Sequence, residues 1–191
     1  MSETGHNVEL KTERLLLRPY APDDVDDVFE HAGDPEWGRY LPVPHPYTEQ
    51  DAEVFVAGQV AEVRTDRVAF AIELDGKVVG GIGLRIDISK QTAEIGYSLA
   101  KHLWGQGLIS EAAREVVRWG FETQNVEKIS AFADSRNKQS FRVMEKLGMT
   151  RERLVKKRGF IRGERVDNVF YGLLREDWEK QTPRHSKTDS E

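Results

Sequence analysis

The stretch "VAFAIELDGKVVGGIGLRI" constrains the fold more than any other. Val68, Phe70, Ile72 and Leu74 recur at every second position, as on a strand with one face buried. Asp75-Gly76 follows, a pair suited to the positive φ angles of a two-residue hairpin turn, and "KVVGGIGLRI" runs back. A chain with this hairpin must build an antiparallel sheet, and Thr92–Ala100 is expected to add a third strand after the connection "DISKQ".

Further along, the pattern changes period. In "SEAAREVVRWGFE" and its lead-in, Ile109, Ala112, Ala113, Val116, Val117 and Gly120 keep the i, i+3, i+4 spacing of one helix face. The short strand "KISAFA" comes next. Then follows the helix "NKQSFRVMEKLG", with Gly148 placed as a left-handed cap. A strand–helix–strand unit after a hairpin implies a mixed sheet with helices packed on it. The N-terminal third adds a strand in "RLLLRPY" and a helix in "PDDVDDVFEHA", whose Pro22 and first-turn acids suit a helix start. A loop carrying four prolines separates it from a second helix, which starts at Thr48-x-x-Asp51 and runs to about Val63. "RLVKKRGFI" and "DNVFYGLL" form a last strand pair around "RGER". The class is α/β of the mixed α+β kind, a mostly antiparallel sheet of about seven strands flanked by about four helices. Residues 1–11 read as an extension, 12–180 as one domain and 181–191 as a polar tail.

Composition narrows the function classes. Without cysteine there is no disulfide, thiol nucleophile or cysteine-based zinc site, and the five histidines show no ligand spacing, so no metal is expected. A formal net charge of −5 disfavours nucleic acid as a main partner. No apolar run suggests a membrane span and no secretory leader pattern is seen, which with the absent cysteines fits a cytoplasmic protein.

The chemistry-bearing feature is Gly105-Gln106-Gly107, at the junction of the Thr92–Ala100 strand and the helix after it. Helix N-termini expose unpaired N–H groups at the positive end of the peptide dipoles, and bare backbone lets an anion approach them. A plain tight turn would also use these glycines. A dinucleotide fingerprint does not fit, because its third glycine would fall on Ser110, and no Gly-Lys-Ser/Thr ends the run as in a Walker loop.

The stretch "EIGYSLAKHLWGQGLISEA", followed later by "NKQSFRVMEKLGM", resembles the GNAT superfamily of acyl-CoA-dependent N-acyltransferases, and within it the branch containing the ribosomal-protein-alanine N-acetyltransferases. "TERLLLRPYAPDD", "PYTEQDAEVF" and "GERVDNVFYGLLREDWE" extend the likeness from Thr12 to Trp178. The family's Arg/Gln-x-x-Gly-x-Gly/Ala loop falls on Trp104, Gly107 and Ile109, of which Gly107 matches. The resemblance implies acetyl-CoA as co-substrate. Its pyrophosphate would lie on Gly105, Gln106, Gly107, Leu108, Ile109 and Ser110, with Trp104 beside it or packing beneath. The pantetheine arm would pair with the strand edge at Tyr97, Ser98 and Leu99. Asn137 would contact the cofactor, cap its helix, or both.

For the amine, the resemblance makes Glu94 a general base, with a strand-edge ion pair as the other reading. Met144 falls where many members carry a tyrosine acid, so Ser140 becomes the candidate donor to the leaving thiolate, also at the cofactor, with Tyr97 and Tyr171 in reserve. The acceptor is expected between the proline-rich loop (Trp37, Tyr40) and the last hairpin (Asp167, Tyr171), with Glu36 and Asp167 attracting an ammonium. It would be a protein N-terminus or a small amine; a homodimer is possible. A CoA-binding module without catalysis is the competing class.

Overall fold

The computed structural model describes residues 8–61 and 65–181. The hairpin at its centre is β3 (Arg67–Leu74) and β4 (Lys77–Asp87), and β5 (Thr92–Leu99) lies antiparallel against β4 from Gly80↔Leu99 to Asp87↔Thr92. On the other side of β3 lie β2 (Leu16–Arg18) and β1 (Leu10–Lys11). Beyond β5 come β6 (Lys128–Asp134), β8 (Glu164–Leu174) and β7 (Thr150–Ile161). The sheet order is β1-β2-β3-β4-β5-β6-β8-β7. It is antiparallel except at β5–β6, which pair in parallel at only three positions, Thr92↔Lys128, Ala93↔Ile129 and Glu94↔Ser130. From Ile95 onward β5 stays on β4 and leaves β6. That divergence positions the site.

The helices follow from their apolar faces. Helix α3 (Leu108–Thr123) crosses from β5 to β6 and buries Leu108, Ala112, Ala113, Val116, Val117 and Phe121 against the sheet. Helix α4 (Lys138–Lys146) packs on the same side, with Met144 only 1% exposed. Helices α1 (Val25–Ala32) and α2 (Glu49–Ala61) form a smaller cluster with β3 and β4, in which Val28, Ala52 and Val56 meet Ala71 and Val78. The main core holds Leu17, Phe70, Ile72, Leu84, Ile129 and Leu173, each at most 2% exposed. Each such side chain stabilises by about 1.5–3 kcal/mol relative to exposure.

Two parts of the fold differ from the sequence expectation. The strand expected in "RLLLRPY" is the short β2, and a further strand precedes it because Thr12 turns the chain: its N–H donates to the Leu15 carbonyl and its Oγ accepts from the Leu15 N–H at 3.0 Å each. β1 therefore lies in the segment before Thr12 and brings the strand count to eight. Helix α5 (Arg175–Gln181) is a fifth helix, held by Trp178 stacked on Phe121 at 5.1 Å. The expected end of α2 near Val63 and the tail after Gln181 lie outside the described residues.

Candidate active site

Gly105 and Gly107 take φ angles of +80° and +81°, and Gly107 is the N-cap of α3. An L side chain there would cost about 1–2 kcal/mol. Space is not the reason for glycine at 105, since a Cβ would meet nothing within 4 Å. The first hydrogen bond along α3 runs from the Glu111 N–H to the Gly107 carbonyl, so the N–H groups of Leu108, Ile109 and Ser110 lack an intrahelical partner.

These residues line a cleft of about 320 Å³. Its second wall is α4 (Asn137, Gln139, Ser140 and Val143), its third is the end of β5 (Tyr97, Ser98 and Leu99), and its rim is Glu36, Trp37, Tyr40 and Leu41. Bare left-handed backbone, a free helix N-terminus and an unzipped strand edge together fit a pyrophosphate carrying an extended amide-bearing arm.

Gln106 is the exception in the loop: it does not line the cleft. Its side chain turns back to donate to the His102 carbonyl, and its own carbonyl accepts from Arg14 Nη1 at 3.2 Å. A planar trans peptide carries its N–H opposite its C=O, so the Gly107 N–H faces away from Arg14. Arg14 is in turn held by Glu111, which accepts from Arg14 Nε at 2.7 Å, from the Arg14 N–H at 2.9 Å and from the Thr12 hydroxyl at 2.6 Å. Burial pushes the Glu111 carboxyl up, but these donors outweigh it and hold it below its ordinary range. The segment from Thr12 to Leu15 thus braces the glycine loop, a role with no local signal in the sequence.

Trp104 lines the cleft and also donates Nε1–H to the Leu99 carbonyl at 2.7 Å, so that carbonyl on the free edge already has a partner. Asn137 caps α4, accepting from the Ser140 N–H at 3.1 Å, and lines the cleft as well. Ser140 Oγ donates to the Tyr97 hydroxyl at 3.1 Å, and Tyr97 donates to the Ser140 carbonyl at 3.2 Å. Burial pushes the Tyr97 hydroxyl up to about 12, with the Ser140 hydrogen bond pulling it back only in part. Met144 does not share the cleft-facing side of α4; it turns into the core, and Val143 takes the lining position.

Glu94 lies in a second cavity, of about 470 Å³. Its floor is three cross-strand pairs on one face of β4 and β5: Gly81↔Ser98, Gly83↔Gly96 and Arg85↔Glu94. A Cβ on Gly96 would meet nothing within 4 Å, so the space above it is open. The walls are aromatic. Tyr20 and Phe55 meet edge to face at 5.4 Å, and Trp37 and Tyr47 at 5.8 Å. The two hollows share Trp37, Leu41, Tyr97 and Ser98. They meet where β5 leaves β6.

The last hairpin does not contribute as expected. Asp167 Oδ1 accepts from the Lys157 N–H at 2.8 Å, beside an irregularity in the β7–β8 ladder, and lines neither hollow. Tyr171 faces the opposite side of the sheet, stacked on Phe141 at 5.7 Å with its hydroxyl donating to Glu145. Tyr40 and Glu36 belong to the first cleft rather than the second, and Glu36 is paired with Arg39 at 3.2 Å. Tyr20, Tyr47 and Phe55 replace the hairpin as walls. Their only hint in the sequence is the run of strand glycines opposite them, which leaves a floor without side chains.

Comparison with known proteins agrees with this architecture. The family model for the acetyltransferase (GNAT) domain matches residues 14–150. The uncharacterized N-acetyltransferase YnaD of Bacillus subtilis (strain 168) is 30% identical over 90% of this chain and 99% of its own. A GNAT-family acetyltransferase from Bacillus anthracis superposes with a TM-score of 0.78 at 31% identity, covering 88% of this chain and 99% of that one. The [ribosomal protein uS5]-alanine N-acetyltransferase of Escherichia coli (strain K12) is 32% identical over 44% of this chain and 43% of its own. The chain belongs to the GNAT family and is an acetyl-CoA-dependent N-acetyltransferase.

Proposed function

We propose that the protein transfers the acetyl group of acetyl-CoA to the α-amine at the N-terminus of a polypeptide. One observation carries the reading: the glycine-loop cleft and a cavity holding a half-buried carboxylate meet at Tyr97 and Ser98. The partial likeness to an enzyme named for a protein alanine acceptor supports a polypeptide. A small amine is the second reading, favoured by an aromatic-walled cavity within the roughly 300–1,000 Å³ typical of small-molecule sites.

Each residue then has a task. The N–H groups of Gly105, Gly107, Leu108, Ile109 and Ser110 hold the pyrophosphate, and Asn137 flanks it. The free edge at Tyr97, Ser98 and Leu99 aligns the pantetheine arm, with Trp104 bracing its end. Bound acetyl-CoA supplies the thioester carbonyl. Glu94 takes the surplus proton of the amine, whose nitrogen bonds to the carbonyl carbon as the carbon–sulfur bond breaks. The sulfur leaves as CoA thiolate. One of the linked hydroxyls of Ser140 and Tyr97 turns from its present acceptor to give the sulfur a hydrogen bond, and Tyr97 keeps its proton at neutral pH. Trp37 seats the acceptor.

The test is thiol release and product mass with purified protein, acetyl-CoA and a matched panel of N-terminal peptides, N-terminally blocked lysine peptides and small amines. One free CoA per α-acetylated peptide is expected. Acetylation of small amines with all peptides inert would overturn the polypeptide reading.

A further inference from the structure

The chain carries a formal net charge of −5, yet residues 150–166 hold seven cations, Arg151, Arg153, Lys156, Lys157, Arg158, Arg162 and Arg165, against two carboxylates, Glu152 and Glu164. Glu152 is already paired with Lys128. Among the described residues, Arg153, Lys156, Lys157, Arg158 and Arg165 have no ion-pair partner. The first four lie on the exposed edge strand β7, and Arg165 lies at the start of β8, paired with Phe160. Charge on an edge strand discourages sheet extension. That explains a few lysines but not what these arginines rest on.

Arg153 and Arg158 lie over the Phe170 ring at 4.6 and 5.2 Å, and Phe170 stacks on Phe132 at 5.3 Å. Phe132 is 39% exposed and Phe160, near Arg165, 59%. An aromatic backing holds the guanidinium plane and leaves its edge free for a carboxylate fork.

The direction of this strip matters. Glu94, Ser130 and Gly172 are cross-strand partners, as are Phe132, Phe170 and Arg153. Ser130 and Phe132 are two apart on β6, so both rows lie on one face of the sheet. It is the face that carries Glu94 and the glycine floor. From β5 to β7 is three strand spacings, roughly 14 Å at about 4.8 Å each. An extended peptide covers that in about four or five residues at roughly 3.3 Å apiece. The hairpin also reaches the rim of the site, where Arg162 donates to the Pro35 carbonyl at 2.6 Å.

We propose that the β7–β8 hairpin docks an acidic segment of the acceptor polypeptide, beginning about five residues after the amine that is acetylated. This rests on the polypeptide reading above. A polynucleotide fits the strip less well, because its phosphates would continue along the face to Glu94, whereas a peptide can place its acids only where the cations are.

The experiment measures kcat/KM for three ten-residue peptides with a free α-amine and one sequence: acids at positions 5–8, acids at positions 2–3, and amides throughout. The first is expected to exceed the others by roughly 5- to 10-fold, as several solvent-exposed pairs acting together would give, with the advantage shrinking in 0.5 M salt. The triple variant Arg153→Gln, Lys156→Gln, Arg158→Gln should abolish the advantage. It should leave the amide peptide's rate and the KM for acetyl-CoA unchanged, which also shows that it folds. Equal rates for all three peptides would overturn the docking surface alone. So would a variant that slows all of them equally, or one that loses RNA binding in a shift assay while peptide selectivity persists. If no peptide is acetylated and a small amine is, the polypeptide reading fails and this one with it.

Discussion

The two hollows are made of different material. The glycine-loop cleft presents backbone at one end: two left-handed glycines, the unpaired N–H groups of α3 and the free edge of β5. The aromatic cavity is mostly side chain, with Tyr20, Trp37, Tyr47 and Phe55 standing around a floor of glycines. Backbone sites recognise what every member of a family shares, in the proposed reading a phosphate-bearing cofactor. Side-chain sites change with a few substitutions and carry the choice of acceptor. Damage away from the shared Trp37, Leu41, Tyr97 and Ser98 should therefore leave the other hollow working.

The largest effect is expected on the acceptor side. Glu94→Gln keeps the shape and removes the proposed base, and general-base steps contribute roughly 10²–10⁴-fold. kcat should fall by that order while calorimetry shows wild-type affinity for acetyl-CoA. An unchanged rate and pH profile would remove Glu94 from the chemistry.

Next come the two linked hydroxyls at the junction. Ser140→Ala and Tyr97→Phe should each lower kcat by about 10-fold, the loss of one hydrogen bond to developing charge. The double variant should lose little more than either single one, because each hydroxyl orients the other. Independent effects that multiply would show that the two do not act as a pair. With its pKa raised to about 12, Tyr97 stays protonated as pH rises past the usual tyrosine range. The kcat profile should then have no falling limb from it below that value; a limb near 10 that vanishes in Tyr97→Phe would contradict the burial argument.

The smallest effect belongs to the brace. Arg14→Ala frees the Gln106 carbonyl and lets the Gly107 peptide turn. The KM for acetyl-CoA should rise by roughly 3- to 10-fold, as for a charged hydrogen bond weakened by exposure to solvent, with kcat and acceptor KM steady. A matching fall in kcat would mean that Arg14 supports the whole fold instead.

The same division explains what could be seen in the sequence. The central hairpin, α3 and the glycine loop are local patterns: a period of two, a period near 3.6, an Asp-Gly turn, glycines before a helix. Helix α5 escaped because "REDWEKQ" has a single large apolar residue, and only stacking on Phe121 reveals its purpose. Tyr171 was misplaced because the face a strand residue presents depends on register. It pairs with Ala131 on the core side, and the β7–β8 ladder shifts twice. Tyr97 and Ser140 are 43 positions apart and the aromatic walls come from three separate segments, so no spacing rule could join them.

The account stands on the separateness of the two hollows, and calorimetry of acetyl-CoA with two glycine variants tests it most directly. Gly107→Val puts a branched side chain at a φ of +81° in the cleft proposed for the cofactor, and Gly96→Leu fills open space in the cavity proposed for the acceptor. Acetyl-CoA affinity should drop by roughly 10- to 100-fold in the first, as one or two charge-assisted hydrogen bonds are lost. In the second it should stay at the wild-type value while amine acetylation fails. If Gly96→Leu abolishes acetyl-CoA binding and Gly107→Val leaves it intact, the assignment of cofactor and acceptor to the two hollows is wrong.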